Sequence, residues 1–207
     1  MTLTATPEIG LSDDANSARQ ARPLLLDVDV HPMFLPRDII PRLPEPRRTR
    51  YANEHAGRGA RVVRDYPRWR YGGFRIDAAV PGGAPGSDID VLRAQLLDEY
   101  GTDIAVLIPL TFVLEGPAAY RAALCRAIND WVAEEWLDRD PRLRASLNVP
   151  FESADLAVAE IERFADDPRF VQVMVRGDNQ SEWGDRKCWP PTGQRRRRTS
   201  SRCPCRR

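Results

Sequence analysis

Histidine and cysteine, the residues that most often hold metals or carry redox chemistry, are scarce in this chain. Its 207 residues include two histidines, His31 and His55, and four cysteines. Cys203-Pro204-Cys205 lacks the spacing of a zinc knuckle and has no histidine near it, and among the cysteines only Cys125 lies well inside a patterned segment. Neither a structural zinc site nor a disulfide framework is expected. There is no run of eighteen apolar residues, so no transmembrane helix is expected. Residues 1–22 carry acids early and lack the basic-then-apolar order of a secretory signal. They are read as a disordered leader on a cytoplasmic protein.

Net charge is also nearly lacking, at +1, but it is unevenly placed. Residues 191–207 hold seven arginines and no acid, which leaves −6 on residues 1–190. A body of that sign offers no general attraction for nucleic acid.

What the chain does contain is alternation. The segment Leu24–Val30 reads as a buried parallel strand, stopped by Pro32. Residues 32–87 are rich in Pro, Arg and Gly and read as a long irregular excursion. Tyr66, Trp69, Tyr71 and Phe74 offer aromatic area with which it can pack. From Ser87 the pattern turns regular. A helix capped by Ser87 is expected over 88–100, a strand over 103–109 and a helix over 117–139. A strand over 143–149, a helix over 153–166 capped by Ser153 and a strand over 170–175 complete it. This order predicts a parallel sheet with right-handed crossovers, and periodicity alone fits either a doubly wound sheet or an incomplete (β/α)8 barrel.

The chemistry concentrates at the end of the first strand, in Asp27-Val28-Asp29-Val30-His31. Residues two apart on a strand share a face, so Asp29 and His31 point the same way. In a parallel barrel that end of the strand opens on the catalytic mouth. A carboxylate and an imidazole there suit one divalent ion: zinc first, with manganese or iron admitted by the carboxylate. An isolated Asp-x-His also serves as a plain hydrogen-bonded pair, and spacing leaves both readings open. His55 falls in the excursion and reads as a loop or surface histidine. Arg70 and Arg75 read as solvated charges, with carboxylate recognition as the sharper alternative. Asn148 ends the third strand facing the presumed mouth, and Trp131 and Trp136 read as helix-packing residues.

After Trp189-Pro190 all periodicity stops. Residues 191–207 read either as a disordered basic extension or as the product of a shifted reading frame. The second reading is preferred because alanine codons (GCN) read out of phase yield arginine codons (CGN), and because the next β/α unit is due at that point.

The opening LLLDVDVHP resembles the amidohydrolase-related family, in the branch similar to aminocarboxymuconate semialdehyde decarboxylase. GGFRIDAAVPGGAPGSDIDVLRAQLLDEYGTDIAVLIP, NDWVAEEWLDRDPRLRASLNVP, AVAEIERFADDPRFVQVMV and WGDRKCWP extend the resemblance over roughly residues 24–190. It implies residues 23–190 as the N-terminal half of a (β/α)8 TIM barrel with about four strands and a metal at its mouth. Asp29 and His31 match the two ligands that follow the first strand, although related sequences carry histidine or glutamate at the Asp29 position. The family's remaining ligands and its general acid/base come from later strands. The activity implied is a metal-dependent hydrolase or decarboxylase acting on a small carboxylated, aromatic or ring-derived molecule, with a homodimer admitted for full-length members. This copy is expected to be incomplete and inactive, to bind metal weakly or not at all, and to be aggregation-prone or partner-dependent because its fourth strand is an uncovered edge. The alternative is a non-catalytic binding protein that uses Arg195–Arg198 for nucleic acid or anionic partners.

Overall fold

The computed structural model describes residues 23–56, 76–78, 80–81, 83–109 and 116–175. The leader, the arginine-rich tail, Tyr66, Trp69, Arg70, Tyr71, Phe74 and Arg75 lie outside the described residues.

Four strands, β1 (Leu26–Val30), β2 (Ile104–Leu107), β3 (Leu143–Asn148) and β4 (Phe170–Met174), form one sheet in the order β1-β2-β3-β4. Every neighbouring pair is parallel. The chain therefore returns across the sheet after each strand, and helices make the return. Each strand begins or ends within two residues of the sequence reading. This α/β arrangement is that of a partial TIM barrel.

The excursion departs from the expectation. Instead of irregular chain it contains helix α1 (Pro36–Ile39), a 3-10 turn at Ile40–Arg42, helix α2 (Arg47–His55) and a further 3-10 turn at Ile76–Ala78. Proline density hid them, yet Pro36 stands in the first turn of α1, where its missing N–H costs nothing. Helix α3 (Ile89–Leu92) runs on in wider, π-type turns over Arg93–Asp98. Its cap is Asp88 rather than Ser87. The Asp88 carboxylate accepts from the N–H groups of Asp90 at 2.8 Å and Val91 at 3.2 Å, so it satisfies two free donors and lies at the positive end of the helix. Helix α4 (Ala118–Val132) likewise continues in π-type turns over Ala133–Leu137. Ser153 occupies the N-cap position of α5 (Ala154–Arg163) without a side-chain bond.

The core lies between the sheet and this helical layer. Tyr120, Leu124, Ala127, Ile128, Trp131 and Val132 of α4 form the buried stripe that their spacing predicts. They meet Val30, Ala105, Leu107, Leu143 and Ala145 from the strands. Trp131 and Trp136 pack edge to face with ring centroids 5.8 Å apart. No helix among the described residues is long and apolar enough to cross a membrane.

One polar group runs through this apolar layer. Asn129 is fully buried, and its amide donates to the Asn148 carbonyl at 2.9 Å and to Glu160 Oε1 at 2.8 Å. Its carbonyl oxygen accepts from the Asn148 N–H at 2.9 Å. The side chain thus acts as a length of backbone, joining α4 to the end of β3 and to α5. Glu160, itself buried, is held from the other side by Arg163 at 2.6 Å.

A second tie runs along the opposite rim of the sheet. Asp140 is buried and receives Arg142 at 2.9 Å and Arg93 at 3.1 Å. Burial opposes its ionisation, but the hydrogen bonds from Arg142 and Arg93 outweigh it and hold the carboxyl below the usual range. The carboxyl of Asp167 is also lowered, through hydrogen bonds from Arg169.

Two outcomes follow. Asn129→Leu takes the Asn129 partner from both backbone groups of Asn148 and a donor from Glu160, and should lower stability by about 2–5 kcal/mol in urea unfolding. Asp140 and Asp167 have folded-state pKa values below their unfolded ones. Their contribution to stability is present in full above about pH 5 and fades as pH falls through the folded values. Asp140→Asn should therefore reduce the urea midpoint at pH 7 and flatten its decline toward pH 3. An unchanged acid slope would remove Asp140 from that role.

Candidate metal centre

Strand β1 sorts its side chains by what each face meets. Val30 belongs to the core shared with the helices, so by strand alternation its neighbours Asp29 and His31 turn to the opposite face of the sheet. The structure brings the two together, with His31 Nε2 lying 3.4 Å from Asp29 Oδ1. Asp27 stays apart from them, spending Oδ1 on the N–H of Asp29 at 3.1 Å.

The residue that sets the geometry is Ile108, just beyond β2. Its N–H donates to the Val30 carbonyl at 2.6 Å, continuing the ladder. Its own carbonyl lies 3.0 Å from His31 Nδ1. A carbonyl can only accept, so Nδ1 carries a proton, and in the neutral form of the ring Nε2 presents a lone pair. That lone pair faces a carboxylate oxygen. Two acceptors turned toward each other call for a cation or a proton between them. Bonds of about 2.0–2.2 Å at a tetrahedral ion separate adjacent ligands by about 3.3–3.5 Å, and the observed 3.4 Å falls in that interval. The Nδ1–carbonyl anchor is also the customary support for a metal-binding imidazole. Asp29 is largely exposed and His31 one quarter exposed, so the pair is reachable from solvent.

Behind the pair, Gly86 adopts φ +78°, and its carbonyl accepts from Met33 N–H at 2.8 Å. A Cβ at Gly86 would come within 2.8 Å of the His31 carbonyl oxygen. Any side chain there would press on the backbone that carries the ligand. Sequence reasoning passed over both Ile108 and Gly86. Nothing in the sequence shows how close Gly86 lies to His31, and a backbone carbonyl has no sequence signal at all.

Other candidates lie elsewhere. His55 ends helix α2, stacked on Tyr51 at 4.0 Å with Nδ1 bonded to the Tyr51 carbonyl, so it is a helix-terminal residue rather than a loop one. Beside it Arg50, Glu54 and Tyr120 form their own network, with Arg50 Nε and Tyr120 Oη each donating to Glu54 at 2.7 Å. Asn148 is buried and engaged with Asn129 through its backbone. Burial pushes the Cys125 thiol up to about 12, which leaves it protonated and unreactive at neutral pH. Among the described residues no group of three or more His, Cys, Asp or Glu forms a potential metal cluster. Asp29 and His31 remain a candidate pair.

Two curated relatives, each named gamma-resorcylate decarboxylase, come from Polaromonas sp. and Rhizobium sp. Each is 30% identical, over 100 and 95 residues respectively. In both cases the match covers 45% of this chain and 29% of the relative. A family model described as amidohydrolase matches residues 26–191, from the first residue of β1 to beyond the last described strand. The parallel sheet, the strand-end pair and this match together show that the chain belongs to the amidohydrolase family.

Proposed function

We propose that Asp29 and His31 are the first-strand ligands of a divalent-metal site in a metal-dependent hydrolase or carboxy-lyase. The family generally uses divalent metals. One observation carries the assignment to these residues: the Ile108 carbonyl fixes the His31 tautomer so that Nε2 and Asp29 Oδ1 face a common point. An imidazole nitrogen with a single carboxylate favours Zn2+, while Mn2+ and Fe2+ share the same donors. A metal ion held there would polarise a substrate oxygen or activate water.

This chain's own residues do the holding. Ile108 keeps the imidazole oriented, Asp29 supplies negative charge from an exposed position, and the Gly86 turn allows the backbone after β1 to sit close. The substrate class we infer is a small carboxylated molecule, aromatic or ring-derived, in keeping with the names of the two relatives. Decarboxylation is the reaction those names favour. Either reaction needs a general acid/base, and two ligands make a weak seat. We therefore infer that a single copy of this chain is inactive.

Zn2+ titrated against a chromophoric chelator should show binding that His31→Ala reduces at least tenfold and Asp29→Asn reduces to a smaller extent. Gly86→Val should weaken it too, without altering a ligand. Equal affinity in wild type and His31→Ala would remove the metal reading.

A further inference from the structure

Helix α1, the start of α3 and the C-terminal turns of α4 enclose a cavity of about 170 Å³. It lies in the helical layer, since Ile89 and Trp131 of its wall belong to the core cluster that Val30 also joins. Asp29 and His31 turn to the other face of the sheet. The cavity is therefore separate from the candidate metal pair, and its reading does not rest on the metal.

Its wall carries hydrogen-bond donors that no protein group takes up. Trp131 and Trp136 line the space and are only 4% and 2% exposed. Both are held through their rings, Trp131 against Phe34 and the two indoles against each other. Among the described residues neither indole N–H has a hydrogen-bond partner. Neither nitrogen is sealed from open space either, so both donors keep an opening, and the cavity is the space they share. An indole N–H can only donate, and when buried it ordinarily finds an acceptor.

Ser87 adds a hydroxyl. Asp88 caps α3 in its place, so among the described residues the Ser87 side chain has no partner, and only its N–H is bonded, to the Ala84 carbonyl at 3.0 Å. Arg37 and Arg139 complete the wall, each in a loose ion pair beyond hydrogen-bond range, 3.9 Å from Asp38 and 3.7 Å from Asp90. Both side chains are exposed, which leaves a guest a way in. The acceptors of the wall are already engaged. Asp38 takes the Leu35 N–H at 2.6 Å, and Glu135 takes Arg42 at 3.1 Å.

A surplus of donors selects a guest rich in acceptors. A carboxylate brings two oxygens with about four lone-pair sites and matches a guanidinium edge to edge. The volume sets the rest of the guest, because a cavity of about 150 Å³ is enough to take up benzene. We propose that this cavity is a binding site for a carboxylate of about one ring, held by the indole N–H groups of Trp131 and Trp136, the Ser87 hydroxyl and the guanidinium groups of Arg37 and Arg139.

The test uses the full 207-residue chain with 15N-labelled tryptophan, whose five indoles give five N–H signals. Benzoate is the probe, and EDTA keeps metal ions from competing for it. Titration should move the Trp131 and Trp136 signals, identified through Trp131→Phe and Trp136→Phe, along a saturable curve with Kd on the order of 1 mM or tighter. The other three signals should stay in place. Arg37→Gln/Arg139→Gln should weaken binding at least tenfold and Ser87→Ala several-fold; the latter spares the Asp88 cap and guards against the double variant failing to fold. Benzylamine, the same ring carrying a cation, should leave all five signals unmoved. No saturable shift at Trp131 or Trp136 overturns the site and leaves the cavity to water. Shifts of all five signals together, or equal affinity in wild type and the arginine variant, overturn it as well. Tighter binding of benzylamine than of benzoate would show that Asp38 and Glu135 set the choice, and would overturn the carboxylate reading.

Discussion

The carboxamide of Asn129 stands where helix α4, strand β3 and helix α5 meet, and no apolar residue could take its place. It offers one acceptor and two donors to groups that are otherwise sealed from water: the Asn148 N–H, the Asn148 carbonyl and Glu160. Hydrophobic burial brings a helix onto a sheet but does not fix its height along the strands. A buried amide does, because a slip of one residue would break all three bonds at once. The position of α4 in turn sets its apolar stripe in the core cluster that Val30 also joins.

That sorting is what creates the candidate site. With Val30 committed to the core, Asp29 and His31 take the opposite face. Ile108 then does two things with one peptide unit, extending the β1–β2 ladder through its N–H and orienting the imidazole through its carbonyl. The helical layer, by committing Val30 to the core, determines which way Asp29 and His31 face.

The sequence made the periodic parts legible. The α4 stripe, the four strands and their parallel order follow from apolar spacing, because those positions face one continuous core. The Asp29/His31 pair was visible for a similar reason, as strand geometry alone puts residues two apart on one face. Other features left no comparable trace. Helices α1 and α2 are short and lie among prolines and arginines, with Ile39 and Tyr51 their only buried residues, so no stripe marks them. Asn129 looks like any polar residue on a helix until the fold surrounds it. Ile108 acts through its backbone, and the choice of Asp88 over Ser87 as a cap turns on a one-residue difference in where α3 begins.

The double use of Ile108 couples ligand to fold. Among the described residues β1 is an edge strand that pairs with β2, and the His31 ring is one of its ties. A cation on Nε2 withdraws electron density from the imidazole and makes Nδ1–H a stronger donor to the Ile108 carbonyl. Occupancy of the site is thereby linked to the free energy of docking β1, and an ion that binds only the docked strand holds it in place by mass action. Were an ion to bind there, the order of β1 would report on its presence.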